Sequence, residues 1–292
     1  MQSVGLHWVC ACVFAAATAA CAPTNNGGPH AQSPERQADA EYDLARDYFY
    51  KNHPREALDH VLRADQLDET NVKALYFTSA IYLSFCSGVQ GLKAVDCELA
   101  NAEKYARKTL ERDEHFRDAR NLLGNILILE EKYADAITAL EPLVQDPSYT
   151  AAHLAWGNLG WAQVKEGHLD EGIASLRNAV TQPKFCVGFY RLGVAYEKKG
   201  DLPNAEQSFS SALAVDSPDC KSLQEAWRER AEVRMKLGRT DEACGDFGKC
   251  RDLSNETESG KVCAAEALKC GAKVTQTPGA SAHVVNGSRR FS

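Results

Sequence analysis

The sequence has only 2 methionines in 292 residues and no surplus of basic charge. Its 33 Lys and Arg stand against 40 Asp and Glu, for a formal net charge of −7. Contact with phosphate normally needs a basic patch, so that balance argues against a nucleic-acid partner. Beyond the N-terminus, no uncharged apolar run approaches the ~20 residues of a membrane span, which excludes a multi-span protein. Catalytic signatures are missing too: there is no H-E-x-x-H, no G-x-S-x-G and no G-x-x-x-x-G-K-[ST]. No C-x-x-C redox motif is present. Gly188 and Gly193 follow no strand, so they make no dinucleotide fingerprint. The histidines are scattered, with His53 and His168 in turns rather than in a ligand set. These absences predict a chain that is not an enzyme, with no cofactor, no metal and no small-molecule substrate.

Cysteine, by contrast, is plentiful at 11 residues. That is high for a reducing cytosol and calls for export, metal or redox chemistry. The N-terminus favours export. An alanine-rich apolar stretch over residues 6–20 ends in Thr18-Ala19-Ala20-Cys21. Small residues at such a position suit a signal peptidase. Ending on cysteine, the stretch resembles a bacterial lipobox, whose thiol is acylated before cleavage. The resemblance implies a signal peptide over 1–20 and lipidation at Cys21; a plain secretory signal and an uncleaved anchor remain as alternatives. Residues 21–37 then read as anchor and polar tether, too poor in large apolar groups to order themselves. Ala22 stands where aspartate would retain an enteric lipoprotein at the inner membrane, so the outer membrane is expected.

Most of the remaining chain repeats. A first helix with a small residue, a polar turn and an alanine-rich second helix recur six times between residues 38 and 254. The small residues of the first helix are Ala45, Ser79, Gly124, Gly160, Gly193 and Ala231; those of the second are Ala57, Ala102, Ala136, Gly172, Ala205 and Ala243. Turns such as Glu166-Gly-His-Leu-Asp170, Lys199-Gly-Asp-Leu-Pro203 and Leu237-Gly-Arg-Thr-Asp241 share one form. The period resembles the 34-residue tetratricopeptide repeat. The expected fold is all-α, a tetratricopeptide-repeat superhelix spanning 38–270 with a C-terminal capping helix, followed by a disordered polar tail over 271–292. An insert at residues 84–97 interrupts the second repeat; it is either a recognition feature or a tolerated insertion.

Removing Cys10 and Cys12 with the signal and Cys21 by acylation leaves eight cysteines. Four disulfides are expected. Cys86 and Cys97 bracket the insert. Cys244 and Cys250 fall on one helix, Cys263 and Cys270 on the next. Pairs that meet across an antiparallel hairpin share a midpoint, which gives Cys250–Cys263 nested inside Cys244–Cys270. Cys186 and Cys220 head successive repeats and make the fourth pair. Zinc is the competing use, but its paired ligands normally stand closer together than these.

In a repeat of this kind the first helices line the concave face. By position that face takes Tyr42, Phe49, Tyr76, Leu83, Asn121, Asn125, Ile128, Trp161, Val164, Tyr190 and Val194, with Tyr76 and Trp161 as anchors. Such a groove suits an amphipathic helix or an extended peptide; some of these residues are alternatively ordinary core.

The lipobox, the tether, six repeats and the run Ala155-Trp-Gly-Asn-Leu-Gly-Trp161 resemble the type IV pilus pilotins, the Tgl/PilF/PilW group. The run Phe185-Cys-Val-Gly-Phe-Tyr-Arg-Leu-Gly193 and the extra cysteines are most similar to the Tgl branch. The resemblance implies an outer-membrane lipoprotein facing the periplasm that binds secretin subunits and promotes their insertion and multimerisation. A lipid-anchored periplasmic adaptor for peptidoglycan enzymes is the alternative.

Overall fold

The structure is a computed structural model that describes residues 33–86 and 91–274. The expected signal peptide, Cys21, most of the expected tether and the expected tail from residue 275 onward lie outside the described residues.

Every regular element described is helical. Helices α1 (Pro34–Tyr50) and α2 (Pro54–Leu67) form the first antiparallel pair. They are followed by α3 (Val72–Ser84) with α4 (Leu99–Arg112), α5 (Arg117–Leu129) with α6 (Tyr133–Val144), and α7 (Ala152–Glu166) with α8 (Leu169–Ala179). Next come α9 (Cys186–Lys199) with α10 (Leu202–Ala214), then a single turn α11 (Pro218–Lys221). The last pair is α12 (Gln224–Lys236) with α13 (Thr240–Leu253), and α14 (Glu258–Val274) caps the stack.

The helices pair because the twelve repeat-marking residues are small. All twelve are buried. A Cβ at Gly193 would lie 2.6 Å from the Phe209 ring, and one at Gly124 would lie 2.5 Å from Leu140. Only a hydrogen at those positions lets the two backbones approach to packing distance. Each first helix also touches the first helix of the next pair, α1 on α3, α3 on α5, α5 on α7, α7 on α9 and α9 on α12. The second helices make no comparable mutual contact, so the first helices sit on the tighter inner curve. That curvature produces a concave face.

Turn chemistry is shared across repeats. Gly167, Gly200 and Gly238 end their first helices with φ of +104°, +82° and +79°, the left-handed conformation that glycine adopts at no steric cost. The first and third repeats hold the same conformation with Asn52 and Glu131. The turn is thus common to five repeats although glycine marks only three.

The ordered repeat begins earlier than the sequence suggested. The expected tether extends to Gln37, whereas α1 starts at Pro34. Ser33 caps it, its Oγ accepting from the Arg36 amide at 3.5 Å, Pro34 occupies the first turn and Ala38 is fully buried. At the other end α14 continues four residues beyond 270.

Four disulfides join Cys86 to Cys97, Cys186 to Cys220, Cys244 to Cys270 and Cys250 to Cys263. Cys220 sits on the extra turn α11 rather than at the head of α12. Two bridges tie α13 to α14, with Cα separations of 5.8 and 5.9 Å. The insert carries a 3-10 turn at Gly91–Lys93 and is closed by its own bridge.

Candidate functional site

The inner face carries a groove assembled from α1, α3, α5, α7 and α9. Two cavities lie along it. The first, of about 720 Å³, is bounded by α1 and α3 and lined by Tyr42, Tyr50, Tyr76 and Phe77, with Asp39, Asp43, Arg46 and Lys73 supplying its charges. The second, of about 340 Å³, runs across α3, α5, α7 and α9. Tyr76 lines both cavities, so they adjoin along the inner face.

The aromatic end is preorganised by ring contacts. Tyr42 and Phe49 meet Phe77 edge-on, with centroids 5.8 and 5.4 Å apart. Tyr76 lies against Phe116 at 5.1 Å. Its partial burial raises the phenol pKa, as does Asp118 nearby.

The middle of the groove is a polar ladder. Asn158 donates to the Asn121 side-chain oxygen at 3.1 Å. Arg191 donates in turn to the Asn158 side-chain oxygen at 2.8 Å and to the Gly157 carbonyl at 3.0 Å. One rung thus comes from each of three successive first helices, α5, α7 and α9. Asn125 lines the same cavity, along with Leu122, Leu154, Phe185 and Tyr149. The Tyr149 hydroxyl donates to Asp118 at 3.2 Å, and burial raises its pKa. Trp161 packs on the cores of both the third and fourth pairs, with Lys165 and Arg191 5.1 and 5.8 Å from its ring.

Of the eleven residues assigned to the groove from sequence, Tyr42, Tyr76, Asn121 and Asn125 line its cavities. Phe49, Trp161, Tyr190 and Val194 are half-buried beside it. Leu83 packs on the core next to Tyr82 and lines neither cavity. Ile128 and Val164 are corrections. They are 6% and 1% exposed, and they belong to the core between helix pairs. Asn158, Arg191 and Asp118 were missed. Asn158 stands 37 residues after Asn121 and Arg191 33 after Asn158, so stepping the repeat period from Asn121 would have found both.

No helix among the described residues is long and apolar enough to cross a membrane.

Comparison with known proteins agrees with the repeat. The tetratricopeptide repeat family profile matches residues 98–150, 158–219 and 190–249. Mouse Superkiller complex protein 3 is 24% identical over 216 residues, covering 72% of this chain and 13% of that protein. The Arabidopsis thaliana chloroplastic tetratricopeptide repeat domain-containing protein PYG7 is 35% identical over 118 residues, 39% of this chain and 38% of its own length. The chain therefore spans only a minor part of both relatives. Among solved structures, PilW, described as a widely conserved type IV pilus biogenesis factor, superposes with a TM-score of 0.63 at 20% identity. It covers 77% of this chain and 97% of its own. Pseudomonas aeruginosa PilF superposes at 0.62 and 14% identity, covering 80% and 99%. At those identities the likeness is one of fold. By its repeat, its shared turns and its fold, the chain is a tetratricopeptide-repeat protein.

Proposed function

We propose that this protein is a type IV pilus pilotin: an outer-membrane lipoprotein, anchored through acylated Cys21 on the periplasmic face, that binds secretin subunits and promotes their insertion and multimerisation. The observation that carries the reading is the pair of adjoining inner-face cavities between Tyr42 and Arg191, in a fold shared with PilW and PilF behind a lipobox-like N-terminus. In this mechanism the lipid brings the complex to the bilayer, and multiple acyl chains make that attachment stable. The groove covers an apolar segment of the subunit until neighbouring subunits replace the contact. The step uses binding energy alone and needs no nucleotide or metal.

The test is co-purification from detergent-extracted envelopes, paired with a count of heat-resistant secretin multimers. Wild-type protein is expected to recover secretin, and Tyr76→Ala with Trp161→Ala to lose both the recovery and the multimers. Recovery of peptidoglycan enzymes without secretin would establish the adaptor reading instead. Cys21→Ser is expected to move the protein from the membrane to the soluble periplasmic fraction; unchanged fractionation refutes the anchor.

A further inference from the structure

The insert of the second repeat is held in place at its C-terminal end. Cys86 and Cys97 close it, and the Cys97 amide donates to the Ala94 carbonyl at 3.0 Å. Arg55, in the first turn of α2, donates to Asp96 through Nε at 3.1 Å and again through Nη2. The turn 94–97 is thereby fixed to the helix pair that precedes it.

What that turn presents is apolar. Val95 is 95% exposed, the most of any large apolar side chain among the described residues. Leu92, three residues earlier on the 3-10 turn, is 51% exposed. Turn tips normally carry Gly, Asn, Asp or Ser, which leave no aliphatic group in water. Arg55 neutralises Asp96, and Glu98 accepts from Asn101. Lys93, between the two aliphatic side chains, is exposed and makes no ion pair among the described residues. Two aliphatic tips fall far short of the roughly 800 Å² per partner that a stable protein interface buries. They suit a surface to which the chain is already held, because a second contact is then intramolecular.

We propose that Leu92 and Val95 dip into the surface of an anionic bilayer, with Lys93 among the headgroup phosphates, and so fix how the solenoid lies on the membrane. The aliphatic tips enter the acyl boundary while the ammonium stays at the level of the phosphates. This inference rests on the Cys21 anchor proposed above. Twelve residues lead from Cys21 to Ser33, a reach of about 40 Å when extended. First helices run parallel, so the insert lies at the edge opposite Ser33, about 25 Å away along the 17-residue α1. The tether is longer than that span, so the acyl chains and the insert can touch one bilayer together. Two points of contact remove the tumbling that a single tether leaves. The cavity on α1 and α3 then keeps one bearing to the membrane.

The test uses the full mature chain in vesicles of phosphatidylethanolamine with about one third phosphatidylglycerol, made with plain or brominated acyl chains. Bromine quenches tryptophan only near contact, so Val95→Trp reports whether the turn enters the acyl boundary. Its added fluorescence is expected to fall about twofold or more on brominated vesicles. Leu268→Trp, at an apolar site 77% exposed on α14, is expected to stay unquenched. Lys93→Glu, placed in the Val95→Trp chain, is expected to lower the quenching about twofold. In the unaltered chain, amide exchange over residues 92–97 is expected to slow about fivefold on vesicles, relative to Cys21→Ser in solution. Floated protein with no quenching at Val95→Trp and no slowing overturns the insert's role and leaves the anchor standing. Quenching without slowing in the unaltered chain assigns the insertion to the new tryptophan and overturns the proposal, as does equal quenching at Leu268→Trp. Should the chain fail to float, the anchor reading falls, and a hexahistidine in place of Cys21 on nickel-chelating lipids carries the comparison; quenching of Val95→Trp there upholds the insert alone. A blue shift of Val95→Trp without vesicles, growing with protein concentration, places a second copy on the turn and overturns the lipid assignment.

Discussion

At Gly160 an added Cβ would lie 2.7 Å from Leu176 and 2.9 Å from the Gly172 carbonyl oxygen; at Gly172 the converse contact, to Gly160, is also 2.9 Å. Backbone atoms on both sides leave no flexible tip to yield. Gly160→Ala is therefore expected to cost about 2–3 kcal/mol in denaturant unfolding. Gly245 lies in α13 with nothing within 4 Å of its would-be Cβ, so Gly245→Ala is expected to stabilise by about 0.5–1 kcal/mol. Equal effects at the two sites would rule out close helix approach as the reason for Gly160. Glu229 offers a test in pH. Burial pushes its pKa up to about 7, with Arg228 opposing and Glu232 and Glu197 adding to the rise. Its ordinary value is 4.5. Between those values the folded protein holds a proton that the unfolded chain releases, so stability from this group is full below about 4.5 and is lost as pH rises through 7. Glu229→Gln is expected to raise stability by about 1–2 kcal/mol at pH 8 and to leave it unchanged at pH 4. A gain at pH 4 of the same size would show that the charge is not the cause.

At the scale of elements, the two staples on α14 differ in burial. Cys250 and Cys263 are fully buried, whereas Cys244 and Cys270 are half-buried. A thiolate must reach a sulfur to exchange with it, so mild reductant is expected to open Cys244–Cys270 before Cys250–Cys263, as read by timed alkylation and peptide mapping. Replacing Cys250 and Cys263 with alanine is expected to cost about 3 kcal/mol, given the 13-residue separation. Element patterns also show why the sequence was legible in parts. Small residues at a fixed period are a steric requirement, so all twelve were visible without coordinates. Glycine turns were visible for the same reason. Asn52 and Glu131 hold the same left-handed turn but carry no such mark, because a non-glycine residue there is kept by its neighbours and not by its own preference. Glu131→Gly is accordingly expected to stabilise by about 0.5–1 kcal/mol. The groove was harder to read. The stretch Asn121–Leu129 is apolar on several faces, so periodicity could not separate buried Ile128 from lining Asn125. Arg191 carried no site signal in the sequence, because its partners Gly157 and Asn158 belong to another helix.

A stacked array couples each pair only to its neighbours, so its ends are its weakest points. Here the two ends are held differently. The C-terminal cap α14 touches α13 and α12 and is bridged twice to α13. The N-terminal helix α1 rests on α2 and α3, and no disulfide joins it to either. Its links at that end are packing around Ala38, Ala45 and Phe77, and polar contacts such as Asn71 to Asp39 at 3.1 Å. Hydrogen exchange on the oxidised protein is therefore expected to be fastest in α1 and α2, with α13 and α14 well protected. After reduction, fast exchange is expected to appear in α13 and α14 as well, while α5 to α8 hold. The same asymmetry reaches function. The first cavity is built on α1, so a segment bound there orders the looser end of the array. A bound peptide is then expected to slow exchange most in α1. Protection gained only in α13 and α14 would place the contact on the cap and not on the groove.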